Sequence, residues 1–327
     1  MTPYLKDRKI GKLSFDREIF KIYVKMMEHT GRQYQIVDRN DLLPHFLPIV
    51  NICPLPDMSK KKVLPYYDIN IMEAETILKM GKRINVMWSG GIDSTSVLSS
   101  FLIAGAKPDQ LYVTMTTDSI DEYPWFYHNI IDGKIEHSNF VTPIEQQLLS
   151  LSEDFVHVTG EHLGSYTGGI YHENEDHNAS YKKYLDPEIV EFLSPSINAC
   201  PRPIVNMSDY RWYTKIYLTW QGWHIRKFLL SDYFTNNLIH FGNNDLFHYW
   251  TLFTEDKEDW HFAKIGHKKI IFEYTKDEEY FRTKERQKSI ITYNNSHIQG
   301  WWGALTKEPI DPLSTGIFIE DGKYIIR

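Results

Sequence analysis

The feature that most constrains this chain is a glycine-containing turn between a strand pattern and a helix pattern. Residues 84–88, Ile-Asn-Val-Met-Trp, form a short apolar run, and residues 89–94, Ser-Gly-Gly-Ile-Asp-Ser, follow it directly. The apolar residues behind the turn recur at helical spacing: Val97, Leu98, Phe101 and Leu102. Gly105 is a typical signal for the end of that helix. The sequence therefore predicts a strand, a tight turn and a helix in succession.

The predicted start of this helix suits an anion. Its first turn points unpaired backbone N–H groups, and the positive end of the helix dipole, into the turn. Gly90 and Gly91 would let the backbone approach a phosphate closely, while Ser89 and Ser94 would add hydroxyl donors. An ordinary glycine turn between a strand and a helix is the alternative interpretation of the same residues.

Asp93 indicates that a metal would accompany the phosphate. A carboxylate repels a phosphate, but it can hold Mg²⁺, which then bridges to the phosphate oxygens. No Gly-Lys-Ser or Gly-Lys-Thr follows the glycines, so the turn is not the Walker loop of nucleotide triphosphatases. The expected ligand is thus a phosphate with Mg²⁺, held by a different kind of loop.

The pattern Ser-Gly-Gly-x-Asp-Ser after a strand resembles the PP-loop of the N-type ATP pyrophosphatases, which cleave ATP between the α- and β-phosphates. This superfamily includes asparagine synthetase, GMP synthetase, NAD synthetase and tRNA-modifying enzymes. The resemblance implies that Ser89, Gly90, Gly91, Ser94 and Thr95 bind ATP. It also implies that Asp93 holds Mg²⁺ while a substrate oxygen attacks the α-phosphate.

From residue 83 onward, apolar runs alternate with helical patterns, which predicts a parallel α/β sheet. The predicted strands are 84–88, 111–116 and 155–159. With the resemblance, we expect a doubly wound sheet of the adenine nucleotide alpha hydrolase type, over residues 83–290. Residues 1–82 would form an N-terminal helical and proline-rich arm that ends in a helix from about Asn70 to Met80. Residues 291–327 would form a C-terminal tail, whose Asp321-Gly322 between apolar runs predicts a hairpin.

Two further segments are expected beside the turn, because ligands of open α/β sheets lie beyond the carboxyl ends of the strands. Asp118 follows the second predicted strand, and by resemblance it would help to hold the adenosine; capping of a turn is the alternative. Gly160 and Glu161 follow the third strand, in a segment that is similar to a Gly- and Glu-containing segment of asparagine synthetases. Gly164 stands where those enzymes have an aspartate that serves the metal and the intermediate. That departure would move this role to another carboxylate, such as the candidate catalytic residue Glu161 or Asp118, or weaken catalysis.

A basic segment near the end of the predicted domain is a candidate for charge stabilisation. Residues 281–289, Phe-Arg-Thr-Lys-Glu-Arg-Gln-Lys-Ser, resemble the late Arg-x-Lys-Glu segment of asparagine and β-lactam synthetases. The resemblance implies that Lys284, supported by Arg282, stabilises the negative charge that develops near the pyrophosphate. A basic helix face balanced by nearby acidic residues is the alternative.

Charge and cysteine content limit the partners and the compartment. With a net charge of −7 we do not expect tight binding to nucleic acid, because proteins that bind it usually carry a basic surface. Cys53 and Cys200 lack CxxC spacing, so neither a disulfide framework nor a zinc site is indicated. The first residues lack an apolar signal core, and no apolar run is long enough to cross a membrane. We expect a cytoplasmic protein.

The resulting hypothesis is an ATP-dependent amide-forming ligase similar to the synthetase domain of asparagine synthetase. It would adenylate a small-molecule acceptor, release pyrophosphate and transfer a nitrogen nucleophile. Position 2 is threonine and not the cysteine of a glutaminase, so ammonia or an amine would come from elsewhere, for example from a separate glutaminase. The alternatives are a PP-loop enzyme that modifies a nucleobase or nucleotide, and a non-catalytic ATP-binding regulator.

Overall fold

The structure is a computed structural model that describes most of the central part of the chain. The described residues are 38–44, 63–138, 154–160, 178–219, 237–254, 264–284, 317–320 and 323–326, with single residues 18, 19, 21, 22, 25, 26, 55, 151 and 176. The chain divides into two compact units. One comprises Met1–Leu55, Tyr171–Thr235 and Tyr293–Arg327, and the other comprises Pro56–Ile170 and Asn236–Thr292.

The second unit is built on a five-stranded parallel sheet. Its strands are β1 Arg83–Met87, β2 Leu111–Thr114, β3 Glu136–His137, β4 Phe155–Thr159 and β5 Leu238–His240. They lie in the order β3-β2-β1-β4-β5, and every neighbouring pair is parallel. The predicted parallel α/β architecture is therefore confirmed, and the strand order is the one that doubly wound sheets adopt.

The helices described in the same unit as the sheet are α1 Tyr66–Leu78, α2 Ile92–Ile103, α3 Thr117–Glu122, α4 Pro124–Phe126, α7 Asp245–Phe253, α8 Ile265–Thr275 and α9 Glu278–Thr283. Helices α5 Pro187–Asn198 and α6 Met207–Tyr213 belong to the first unit. Short π-helical segments span Tyr127–Ile131 and Thr214–Thr219, and 3₁₀ turns span Pro108–Gln110 and Tyr181–Lys183. Helix α1, which the sequence places in an N-terminal arm, belongs to the same compact unit as the sheet. The three-part division of the whole chain stays a prediction.

The strand, turn and helix predicted around residue 89 are all present. Strand β1 is the middle strand of the sheet, and Ile84 and Val86 are fully buried between its neighbours. Helix α2 buries Val97, Leu98 and Phe101, three of the four residues predicted to form its apolar face. It ends just before Gly105, whose φ of +88° is the left-handed conformation that favours glycine. The hydrophobic period thus identified the central βα unit correctly.

The sheet also buries a polar chain across its middle strands. The Asn85 amide nitrogen lies 2.9 Å from Nδ1 of His157, and the Thr114 hydroxyl donates to the Asn85 oxygen at 2.9 Å. All three residues are fully buried. Because burial penalises the charged imidazole, the pKa of His157 falls to about 4. These three side chains therefore form a neutral hydrogen-bond network that connects β2, β1 and β4.

The first unit has its own polar anchor. The buried Asp38 carboxylate accepts hydrogen bonds from the Ser196 hydroxyl at 2.8 Å and from the Leu42 amide at 2.9 Å. In the same unit, β6 Ile317–Glu320 and β7 Lys323–Ile326 pair in antiparallel register, as the predicted hairpin requires.

No helix in the part of the chain that the structure describes is long and apolar enough to cross a membrane.

Candidate functional site

The turn at residues 88–91 follows β1, the strand at which the order of the strands in the sheet reverses. Strands β2 and β3 extend the sheet on one side of β1, and β4 and β5 extend it on the other side. The carboxyl ends of β1 and β4 are therefore adjacent at the point where the strand order reverses. Ligands of doubly wound sheets bind in the crevice at such a point. The predicted phosphate loop is the loop at this position.

The serines of the turn form a small hydrogen-bonded cup. The Ser89 amide donates to the Ser94 hydroxyl oxygen at 3.0 Å, and the two serine hydroxyl oxygens are 3.1 Å apart. The Gly91 amide approaches the Ser89 hydroxyl oxygen at 3.4 Å. Gly91 is the N-cap of α2 and has no side chain to cap the helix. The first turn of α2 therefore opens towards the cup without an internal cap.

Gly90 is required for a reason that the sequence did not reveal. Its φ is +72°, and a Cβ at this position would lie 2.2 Å from the Ser119 carbonyl oxygen and 2.7 Å from Cβ of Glu122. The missing side chain thus makes room for helix α3, and not primarily for a ligand. Gly160 plays a similar part after β4, because its Cβ would come within 3.0 Å of the Asp93 carbonyl oxygen. Both glycines hold the backbone segments around the crevice in close contact.

Asp93 is engaged by a lysine that the sequence analysis did not single out. Lys264 Nζ lies 2.7 Å from Oδ1 and 2.6 Å from Oδ2 of Asp93, so the ammonium contacts both carboxylate oxygens. The pair is partly exposed, with 36% of the Lys264 side chain and 26% of the Asp93 side chain accessible. Lys264 has a φ of +45°, a rare conformation for a residue with a side chain. Its backbone is thus fixed in an unusual position at the start of α8.

A buried histidine lies behind this ion pair. His267 Nε2 is 3.6 Å from Oδ1 of Asp93 and 2.9 Å from the Tyr66 hydroxyl oxygen. The side chain is fully buried, and burial lowers the pKa of His267 to about 4, although Asp93 raises it and Lys264 lowers it further. The imidazole is therefore neutral at neutral pH. The ring lies beside the Asp93 carboxylate and adds no charge to the site.

Lys284, predicted to stabilise developing charge, is bound to the neighbouring helix. Its ammonium forms an ion pair with the Glu122 carboxylate and donates to the Glu122 carbonyl oxygen at 3.1 Å. Only 15% of the Lys284 side chain and 7% of the Glu122 side chain are exposed. Since Glu122 packs against Gly90, Lys284 lies one residue away from the turn. Arg282 is exposed, and its Nε approaches the carbonyl oxygen of Glu278 on its own helix at 3.4 Å.

The other predicted residues have different surroundings. Asp118 is exposed in the first turn of α3, directly before the residue whose carbonyl meets Gly90. Thr95 faces the interior, where its hydroxyl oxygen accepts a hydrogen bond of 2.9 Å from the buried Trp88 indole. Glu161 and Gly164 lie outside the described residues. The structure therefore places Asp118 next to the contact between α3 and Gly90, and it uses Thr95 in a buried hydrogen bond to Trp88.

Two tyrosine side chains stack where helix α9 packs against the residue that follows α3. The rings of Tyr123 and Tyr280 stack with their centroids 3.8 Å apart, and the Tyr123 hydroxyl donates to Oδ2 of Asp277 at 2.9 Å. Burial raises the pKa of both phenols above the ordinary range. They therefore stay protonated and act as a neutral, rigid support for the Glu122–Lys284 pair.

The donor set around the turn fits Mg²⁺ bound together with a nucleotide. Mg²⁺ prefers oxygen ligands and is commonly held by one or two carboxylates plus substrate phosphates. Asp93, in the first turn of α2, supplies a partly exposed carboxylate, and Ser89 and Ser94 supply hydroxyl oxygens in the turn before it and in the same helix. Among the described residues, there is no group of three or more His, Cys, Asp or Glu side chains that could hold a metal ion.

Comparisons of the chain with family models, with curated proteins and with solved structures found no match.

Proposed function

We propose that this protein binds Mg·ATP at the turn formed by residues 88–94 and cleaves it to AMP and pyrophosphate. The cleavage would activate a small-molecule acceptor, to which a nitrogen nucleophile is then transferred. In this proposal the sheet is a PP-loop sheet of the N-type ATP pyrophosphatases, and the closest activity type is an amide-forming ligase similar to asparagine synthetase.

The observation that carries the proposal is the position of one carboxylate. Asp93 follows the two glycines at the start of α2 and lies at the reversal point of a parallel sheet, beside a partly exposed lysine. A phosphate cup at a helix start accounts for Ser89, Gly91 and Ser94. An acidic side chain in the same cup is compatible with a phosphate when a cation, either the Lys264 ammonium or a divalent metal ion, lies between the carboxylate and the phosphate.

Each residue then has a defined task. The first-turn amides of α2, with Ser89 and Ser94, would hold the pyrophosphate portion of ATP, and Asp93 would hold Mg²⁺. When bound, Mg²⁺ would neutralise part of the phosphate charge. Asp118, next to the contact between α3 and Gly90, would contact the nucleoside. Lys284 and Lys264 would supply positive charge beside the leaving group, where a cation stabilises the transition state more strongly than in water.

The chemistry is a pair of displacements. An oxygen of the acceptor attacks the α-phosphorus, and the bond from that phosphorus to the bridging oxygen breaks, so that pyrophosphate leaves. A nitrogen nucleophile then attacks the activated carbon, AMP departs with the bonding electron pair, and the nitrogen loses a proton. Asparagine synthetase-like enzymes use a carboxylate as the acceptor, and we propose a carboxylate or amide-type oxygen here.

The test is a product analysis with Mg·ATP. Wild-type protein is incubated with a panel of carboxylic acids and nucleobases, with and without ammonium, and AMP, ADP, pyrophosphate and phosphate are quantified. We expect AMP and pyrophosphate in equal amounts with at least one acceptor. Asp93→Asn should lower their formation by about 100-fold or more, because it removes a charge that acts in the transition state. Asp109→Asn, an exposed aspartate just before β2 at the opposite edge of the sheet, is the matched control.

The products separate the alternatives. Formation of ADP and orthophosphate would refute the proposal, as would full turnover by Asp93→Asn. Binding of Mg·ATP with no product from any acceptor would favour a non-catalytic ATP-binding regulator. Turnover with nucleobases alone would favour the nucleobase-modifying alternative.

A further inference from the structure

The contact between Lys264 and Asp93 conflicts with metal binding at the same carboxylate. The ammonium lies within 2.7 Å of both Asp93 oxygens, and so occupies the face that the carboxylate presents to the crevice. A Mg²⁺ ion bound to either oxygen would lie about 2.0 to 2.1 Å from it. Two cations on one carboxylate at these distances would repel each other strongly. One of them has to move.

Lys264 is placed so that its side chain can move. More than a third of it is exposed, whereas the ion pair of Lys284 with Glu122 is nearly buried. The lysine stem has four rotatable carbons, so the ammonium can travel several ångströms while the backbone stays fixed. Its backbone at φ +45° directly precedes α8, a helix packed on α2 through buried Ile270 and Ile271. With its backbone held at the start of α8 and its ammonium near solvent, Lys264 can exchange one negatively charged partner for another.

We propose that Lys264 acts as a latch on the metal-binding carboxylate. Without ligand, its ammonium neutralises Asp93. When Mg·ATP enters, the metal takes the carboxylate, and the released ammonium turns to a phosphate oxygen of the same nucleotide. The inference rests on the proposed function, because the phosphate is what receives the displaced charge. It makes Lys264 a positioning residue that couples metal binding to nucleotide binding and keeps metal affinity low until the nucleotide arrives.

The latch can be tested without nucleotide and without turnover, through the binding of Mn²⁺ as a probe. Free Mn²⁺ is measured by electron paramagnetic resonance during titration of the full-length protein. Lys264→Gln should bind Mn²⁺ about tenfold more tightly than wild type, because the competing cation is gone. Lys264→Arg should stay close to wild type. Lys269→Gln, which removes an exposed lysine on the same helix, is the matched control and should not change the affinity.

A double variant shows whether the gain belongs to Asp93. In Lys264→Gln with Asp93→Asn the tighter Mn²⁺ binding should disappear. In the presence of Mg·ATP, Lys264→Gln should raise the KM for ATP, since the phosphate loses the displaced ammonium. An unchanged Mn²⁺ affinity in Lys264→Gln would overturn the latch, and so would a gain that persists without Asp93.

A second measurement uses the wild-type protein, in case Lys264→Gln does not fold. A short pulse of an amine-acylating reagent is followed by mass spectrometry of the peptide that contains Lys264. Acylation of Lys264 should increase several-fold when Mn²⁺ is added alone, and decrease again with Mn·ATP. Equal acylation in all three states would contradict the latch. These outcomes are independent of whether AMP and pyrophosphate form, so failure of the latch and failure of the proposed function are distinguishable.

Discussion

Replacement of Gly90 by alanine tests the structural basis of the phosphate loop. The added Cβ would lie 2.2 Å from the Ser119 carbonyl oxygen, which is a backbone atom and cannot rotate away. The residue would also have to hold a φ of +72°. A left-handed conformation costs an L-residue about 1 to 2 kcal/mol. Overpacking of a tight contact costs about 1 to 3 kcal/mol more. We therefore expect Gly90→Ala to lower the free energy of unfolding by about 2 to 5 kcal/mol.

A second glycine provides the control for this estimate. Gly81 has nearly the same φ, +71°, but a Cβ there would meet nothing within 4 Å. Gly81→Ala therefore pays only the conformational cost of about 1 to 2 kcal/mol. The effect of alanine on the unfolded chain is the same in both variants and cancels from their difference. That difference isolates the contact between the turn and helix α3.

The two variants are compared by urea denaturation and by thermal unfolding. The contact corresponds to about 1 to 3 kcal/mol, so for a domain of about 150 to 250 residues the melting temperature of Gly90→Ala should lie roughly 2 to 12 °C below that of Gly81→Ala. Gly90→Ala should also bind Mg·ATP more weakly, because relief of the clash moves the turn. If both variants unfold at the same urea concentration, the close approach of the turn to Ser119 is wrong.

Two further predictions concern buried ionisable groups. The pKa of His157 is about 4 in the folded state and 6.5 in an ordinary environment, so between these values the unfolded chain binds more protons. The free energy of unfolding should therefore fall as the pH is lowered from about 6.5 to 4, by up to about 3 kcal/mol for this group. In urea denaturation at pH 7 and pH 5, His157→Gln should show a smaller decrease in the free energy of unfolding than the wild type. Lys284→Met leaves Glu122 as an unpaired, buried carboxylate and should cost about 3 to 5 kcal/mol in the same assay. The double variant with Glu122→Leu should recover most of that loss, and a double variant as unstable as Lys284→Met would contradict the structural ion pair.

The sequence predicted the central part of the sheet because its signals there are local. The run at 155–159 is fully buried and became β4 with the same bounds, and the run at 84–88 differs from β1 by one residue at each end. Strands β3 and β5 were not predicted. They contain two and three residues with partly exposed side chains, which is too short for any hydrophobic period to appear. The edges of the sheet are therefore visible only in the structure.

The residues of the candidate site also fall into two groups: those that a local sequence pattern predicts, and those that only the folded structure brings together. Ser89, Gly90, Gly91 and Asp93 could be predicted as candidates because they lie within five consecutive residues between a strand pattern and a helix pattern. Lys264 is 171 positions away from Asp93 in the sequence. No motif surrounds it, and a lone lysine before a helix is ordinary on a protein surface. The reason for Gly90 was also missed, since the carbonyl of Ser119 reaches it only through the packing of α3.

The two lysines near the turn show how one structural element can serve two purposes. Lys264 directly precedes α8 and Lys284 directly follows α9, so a pair of consecutive helices brings one cation to Asp93 and the other to Glu122, which packs against Gly90. Their exposure separates their roles. Lys284 is held in a nearly buried pair with Glu122, where loss of its partner would leave a charge without solvent, so it has to stay in place. Lys264 is accessible to water and can leave Asp93 at lower cost. The resemblance to a family motif singled out Lys284, whose role at the pyrophosphate stays a prediction, whereas the proposed latch depends on Lys264.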